Sequence, residues 1–255
     1  MRRLVFQSII LVSLILSACS GRTNSHSISS WEFISVDSNL IGDSALIAFI
    51  EPYRFKLDST MNEVIGYSSA TMISDKPEGT LSSLVGDIVY NAGLEILNQE
   101  GIESKNTLAL VNVRGIRAPL PEGVVRLVDA YQIMPFDNNL AAVRLNGSLL
   151  KEVFDHIAHR YGEGLSNASF TLLADSTASN IIVAGKELNP EESYWLFTYD
   201  FIASGGDKFF MFQRADTIIA TNIPVRDLII EHIKKEHLQG KVLNPDTIAR
   251  ITVIK

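Results

Sequence analysis

Hydrophobic and polar positions alternate with different periods along this chain, and the first stretch has no period at all. Met1-Arg2-Arg3 leads into Leu4 to Leu16, which is apolar apart from Gln7 and the serines. A basic start followed by a short apolar run is the layout of a secretory signal, and the run is short for a membrane span. Residues 20–29 are rich in Ser, Gly, Asn and His and have the composition of a flexible tether. From Trp31 to Leu57 no period dominates, although Ala45, Leu46, Phe49 and Ile50 share one face if that segment is helical.

Beyond residue 60 the periods sharpen. Val64 to Tyr67 and Ala70 to Ile73 read as strand material, and Leu81 to Leu97, apolar at 81, 84, 85, 88, 89, 92, 94 and 97, reads as an amphipathic helix. Leu108 to Val111 is a continuous apolar run of strand length, and Pro119, Pro121 and Gly123 mark the following segment as loop. A buried strand thus delivers Asn112 to Arg117 at its end. Leu140 to Leu145 is a further strand broken by Gly147, and Ser148 is placed to cap a helix running to about Arg160. Ile181 to Val183, Tyr194 to Thr198 and Thr217 to Ala220 are strand-like, Val225 to Leu238 is a helix with a polar face, and Ala249 to Ile254 is a last strand. Irregular alternation of strands and helices predicts one mixed α/β (α+β) domain over residues 31–255.

Composition narrows the function classes. The 255 residues are 46% apolar and 20% charged, ordinary usage for a globular chain able to bury a core. A net charge of −7 argues against a nucleic-acid partner. The single cysteine excludes an intrachain disulfide and a multi-cysteine zinc site. It closes Leu16-Ser17-Ala18-Cys19, which resembles the bacterial lipobox. That resemblance implies removal of residues 1–18 as a lipoprotein signal peptide, lipidation of Cys19, a lipidated tether over residues 19–30, and a membrane anchor in the bacterial cell envelope.

Catalytic machinery is not evident. The chain lacks Asp-x-His, Gly-Asn-His and Gly-His-x-His metal-binding sequences, a Gly-x-Ser-x-Gly elbow, and a phosphate-cradling glycine loop. Its five histidines are His26, His156, His159, His232 and His237. Asp155 and His159 stand at i,i+4 on one helix, and the expectation for them is a solvated face rather than a metal site. Chemistry concentrates instead at strand ends: Asn112-Val113-Arg114-Gly115-Ile116-Arg117, Pro135-Phe136-Asp137-Asn138, and Phe201-Ile202-Ala203-Ser204-Gly205-Gly206-Asp207.

The order Asn-x-x-Gly-Ile-Arg, then Pro-Phe about twenty residues on, then Phe-x-Ala-x-Gly-Gly-Asp resembles the C-terminal, substrate-binding domain of the 5′-nucleotidase family, with Leu150 to Gly162 resembling the helix that lies between the last two motifs. The resemblance covers roughly Glu63 to Ile254 and implies layered sheets flanked by helices. It also implies roles. Phe136 and Phe201 match the two rings that sandwich the base, Asn112 the carboxamide at the base edge, and Asp207 the carboxylate that accepts from ribose hydroxyls. Gly115, Gly205 and Gly206 supply backbone freedom, and Arg117 matches an arginine suited to ribose or phosphate oxygens. Two departures stand out. Val113 and Arg114 occupy positions where the family usually has glycine, which brings Arg114 to the base pocket, and the segment Glu78 to Asp87 lacks the arginine expected upstream.

The family's metallophosphoesterase domain has no room in Ser20 to Met61. The leading expectation is therefore the nucleotide-recognising half of a split 5′-nucleotidase, with no cofactor of its own and with divalent metals on a separate metallophosphoesterase partner. Two rivals are a stand-alone nucleotide- or nucleoside-binding lipoprotein without catalysis, and a structural relative whose pocket Val113 and Arg114 have closed.

Overall fold

The structure is a computed structural model that describes residues 30–37 and 40–254; Cys19, the signal segment before it and the tether up to residue 29 lie outside the described residues. The chain divides into two units, residues 1–50 and 51–255. In the first, every described residue is exposed. Helix α1 (Ser44–Met61) begins there, its first amides capped by Asp43, whose Oδ1 accepts from Ala45 N at 2.9 Å and Leu46 N at 3.0 Å. Ala45, Leu46, Phe49 and Ile50 are helical as expected, but none of them is buried.

The larger unit runs through β1 (Val64–Ser68), α2 (Thr80–Gln99), β2 (Thr107–Val111), β3 (Gly123–Arg126), α3 (Leu127–Ile133), β4 (Asn139–Asn146) and α4 (Gly147–His159). It continues through β5 (Gly164–Ser166), β6 (Ala168–Leu172), β7 (Ala178–Val183), β8 (Lys186–Glu187), β9 (Ser193–Tyr199), α5 (Asp200–Ala203), β10 (Thr217–Pro224), α6 (Val225–Leu238) and β11 (Ile251–Val253). Three sheets result: β1-β3, a five-stranded sheet in the order β10-β4-β9-β2-β5, and a four-stranded sheet in the order β11-β6-β7-β8. This is the mixed α/β architecture with layered sheets and flanking helices.

Register in the five-stranded sheet decides where function can sit. Strand β9 lies at its centre, parallel to β2, with Leu108 opposite Leu196, and antiparallel to β4, with Leu140 opposite Tyr199. The last residues of β2 and β9 and the first of β4 therefore share one edge of the sheet. β2 is buried at every position and β9 at every position but the first, which is why both read as continuous apolar runs rather than alternating ones. Helix α4 covers this region with Leu150, Val153, Phe154 and Ile157, all at 0–1% exposure.

Several sequence expectations are corrected. Ala70 to Ile73 forms no strand; Met72 makes a single bridge to Leu120. The segment after Pro121 is not loop throughout, since β3 and α3 follow directly. The cap of α4 is Asn146, whose Oδ1 accepts from Leu149 N at 2.8 Å, and Ser148 lies inside the helix.

Candidate functional site

The shared sheet edge gathers the three loop segments. Asn112 follows β2 directly, Phe136 and Asn138 lead into β4, and Phe201 and Asp207 follow β9. Between them lies a cavity of about 190 Å³ formed by Asn112, Arg114, Gly115, Phe136, Asn138, Phe201 and Asp207. Six of the seven residues expected at the site are in this lining. Arg117 is not: it is exposed, and its Nη1 donates to the Arg114 carbonyl at 3.4 Å. Phe136, in the loop before β4, and Phe201, in α5, present open aromatic surface at 47% and 45% exposure.

A polar network holds the floor of the cavity. Asn112 is 3% exposed, and Tyr199 beneath it is fully buried. The Tyr199 hydroxyl accepts from Asn112 N at 3.0 Å and donates to Asn112 Oδ1, while Asn112 Nδ2 donates to Asp207 Oδ2 at 2.6 Å. Burial pushes the Tyr199 phenol far above its ordinary range, so it remains a donor at every working pH. The Asn112 carboxamide is thus tied to Tyr199 through Oδ1 and to Asp207 through Nδ2, and it fixes the direction of the Asp207 carboxylate.

Asp207 is held in a conformation it would not choose. Its backbone is left-handed, φ 52° and ψ 26°, a region costly for a residue with a Cβ and kept only where surroundings enforce it. Arg160 does so with two bonds, Nη2 to Asp207 Oδ2 at 3.1 Å and Nη1 to the Asp207 carbonyl at 3.3 Å, and is itself anchored by Nε to Glu163 Oε1 at 2.7 Å. His156 adds Nε2–H to the same carbonyl at 3.1 Å and rests its ring on Phe209 at 4.5 Å. Burial lowers the His156 pKa; the Asp207 carbonyl, which favours the proton, works against that. Asp207 Oδ1 receives no protein donor among the described residues and is left for a ligand.

Glu163 anchors the network with no exposed side-chain surface. Its Oε1 meets Lys76 Nζ at 3.1 Å as well as Arg160, and its Oε2 accepts from Val113 N at 2.7 Å. A buried carboxylate so bonded joins the turn carrying Arg114 to the arginine that holds Asp207. Gly206 completes this side: a Cβ there would stand 2.4 Å from the Phe201 carbonyl and 2.6 Å from its ring, so only glycine lets the ring lie against the Gly-Gly-Asp backbone.

Outside the lining, Arg226 of α6 clasps the loop that carries Phe136. Its Nη2 bonds Asp137 Oδ1 at 2.8 Å, its Nη1 the Met134 carbonyl at 3.3 Å, and its guanidinium lies 4.5 Å from the Tyr131 ring centroid. Sequence reasoning missed Asn138, Lys76, Glu163, Tyr199 and Arg226 and saw Arg160 only as part of a helix. Asn138 was within reach, two residues after Phe136 in the same turn. Arg160 and Glu163 carried the weaker signal of opposite charges at i,i+3 closing an apolar helix.

A metal does not fit these residues. Asp207 and Glu163 are neutralised by Arg160 and Lys76, Asp155 is bonded by Lys151 at 2.6 Å and 2.7 Å, and the described residues contain no group of three or more His, Cys, Asp and Glu able to hold an ion. The arrangement can receive a flat ring between exposed aromatics, offer polar groups to its edge and accept hydrogen bonds from hydroxyls; it contains no activated nucleophile.

The sequence profile of the family described as "5′-nucleotidase, C-terminal domain" matches residues 63–214. The chain is 24% identical over 176 residues to a 5′-nucleotidase of Vibrio cholerae, covering 68% of this chain and 31% of that protein. It is 28% identical over 138 residues to a 5′-nucleotidase of Mus musculus, covering 51% and 24%. The crystal structure of a 5′-nucleotidase precursor from Thermus thermophilus shares the fold, with TM-score 0.69 and 22% identity over 83% of this chain and 42% of that one. The chain thus spans about a third or less of the curated relatives it matches.

Proposed function

The chain belongs to the 5′-nucleotidase C-terminal domain family, and from that premise we propose that it is the nucleotide-recognising half of a split 5′-nucleotidase, working with a separately encoded metallophosphoesterase. The observation that carries this reading is the convergence of Phe136, Phe201, Asn138 and Asp207 on one cavity. At about 190 Å³ the cavity is smaller than the roughly 300–1,000 Å³ typical of sites that enclose a drug-sized ligand. It suits a base, with sugar and phosphate left outside.

Phe136 and Phe201 stack the base, a contact worth about 1–3 kcal/mol per base. Asn138, a half-buried carboxamide with no protein partner among the described residues, bonds the base edge. Asp207 Oδ1 accepts from ribose hydroxyls, and Arg117, exposed beside the cavity, is available to the phosphate. Held in this way, the phosphate ester is presented to the partner, so this chain contributes position and specificity. In the same reading Cys19 carries the lipid that keeps the chain in the bacterial cell envelope, and fatty-acid labelling that persists in Cys19→Ser would overturn that step.

Calorimetric titration of the full chain with guanosine, GMP, adenosine, AMP and UMP, followed by a phosphate-release assay with added manganese, tests the reading. Binding without release is expected. Release by the purified chain would mean that it holds its own catalytic site, and absence of binding would remove the recognition role.

A further inference from the structure

The lining of the cavity contains one cation without a partner. Arg114 is exposed, and its guanidinium makes no hydrogen bond or ion pair among the described residues, whereas Arg160, Arg214, Arg226 and Arg250 all meet carboxylates. Its backbone is fixed on three sides. Val113 N donates to Glu163 Oε2 at 2.7 Å, Ser74 Oγ donates to the Val113 carbonyl at 3.2 Å, and Gly115 N donates to the Asn112 carbonyl at 3.0 Å. From a turn so constrained, in the lining of a cavity the size of one base, the Arg114 guanidinium is within reach of a ring that lies between Phe136 and Phe201.

The other polar groups of the lining leave the choice of base to it. Asn112 is buried and tied to Tyr199 through Oδ1 and to Asp207 through Nδ2, which limits what it offers a ring. Asn138 can present either its donor or its acceptor and so accepts most edges. Arg114 is different because a guanidinium is donor-only, a planar fork that matches two adjacent acceptors. The O6/N7 edge of guanine or hypoxanthine is such a pair, whereas adenine places its N6 amino donors where the fork needs an acceptor. Adenine therefore leaves donors facing donors in a confined site, which rejects it as well as failing to attract it.

Resting on the nucleotide-recognition reading above, we infer that Arg114 makes the cavity selective for 6-oxopurine nucleosides and nucleotides over those of adenine. The test is calorimetry of the full chain with guanosine, inosine and adenosine, in wild type, Arg114→Gly, Arg114→Lys and Phe136→Ala. Guanosine and inosine are expected to bind wild type about tenfold more tightly than adenosine, the order of one bidentate guanidinium–base pair. Arg114→Gly should erase that preference, and Arg114→Lys, which keeps the charge without the fork, should erase most of it. Phe136→Ala should weaken all three ligands together. Equal or tighter binding of adenosine by wild type, or a preference that survives Arg114→Gly, overturns the inference while leaving the pocket in place. A preference visible with monophosphates and absent with nucleosides overturns it too, since the guanidinium then serves the phosphate. If no nucleoside binds any of the proteins, the recognition reading itself falls and the inference with it.

Discussion

Arg160 reaches from the end of α4 to Asp207, Nη2 to Oδ2 at 3.1 Å, across 47 residues of sequence. With Asn112 Nδ2 on the same oxygen, this bond leaves Oδ1 as the outward acceptor and holds a left-handed aspartate in place. Arg160 is therefore a positioning residue, acting on a ligand only through Asp207. Arg160→Gln should weaken adenosine or guanosine binding about twentyfold, within the roughly 1.5–3 kcal/mol of hydrogen bonds to a charged group. The discriminating measurement is the affinity ratio of nucleoside to its 2′,3′-dideoxy analogue, which should collapse toward one in Arg160→Gln. A ratio unchanged from wild type would show that Arg160 supports the fold alone.

Glu163 carries a larger share of stability. Its side chain has no exposure and serves Lys76, Arg160 and the Val113 amide together. Removing one member of a buried ionic group leaves the others uncompensated and costs about 3–5 kcal/mol. For a unit of this size each kcal/mol moves Tm by about 2–4 °C, so Glu163→Leu should lower Tm by roughly 10 °C in calorimetry. Glu163→Gln, which retains acceptor and shape, should lose less. Equal Tm in both variants and wild type would show that the network contributes no net stability.

How much of this was legible depends on which physical fact the chain records locally. Leu108 to Val111 and Tyr194 to Thr198 are runs that both faces of a sheet bury, and such runs point to their own ends, hence to Asn112 and Phe201. Phe136 was visible through Pro135 before it. What no local pattern carries is register. That Leu140 pairs with Tyr199, and so brings Phe136 and Asn138 to the end of β9, is a tertiary fact. Asn112 stands at the strand end that lines the cavity, but its bonds to Tyr199 were not legible, because they depend on a neighbour 87 residues away. β5, with three residues, is too short to show a period, and β3 was hidden behind Pro119, Pro121 and Gly123, all of which read as loop.

Gly206 gives a test of ring placement that does not touch the ring. Its missing side chain lets Phe201 lie against the backbone, and a methyl group there would stand 2.6 Å from Phe201 Cε1 and 2.4 Å from the Phe201 carbonyl. Gly206→Ala should therefore displace the ring and reduce nucleoside affinity as much as Phe201→Ala does, on the order of tenfold from lost stacking. Since Phe201 is largely outside the core, Tm should fall less than it does in Glu163→Leu. Wild-type affinity in Gly206→Ala would place the ring elsewhere in the bound state.

Acidification should loosen the same network from another direction. Burial lowers the pKa of His156 and His232, so in the folded chain each binds its proton more weakly than at the ordinary value of 6.5. The unfolded state then carries more protons just below that value, and stability rises with pH through this window; read the other way, it is lost as pH falls from about 6.5. His156 has a second effect. Its imidazolium would stand beside the charges of Arg160 and His159, which outnumber Glu163, and would push against the guanidinium that holds Asp207. Both Tm and nucleoside affinity should therefore drop between about pH 7 and pH 5. His156→Gln keeps an amide donor for the carbonyl and removes the titration, so its affinity should be flatter across that range. An affinity profile in His156→Gln as steep as wild type would assign the titration to a different group.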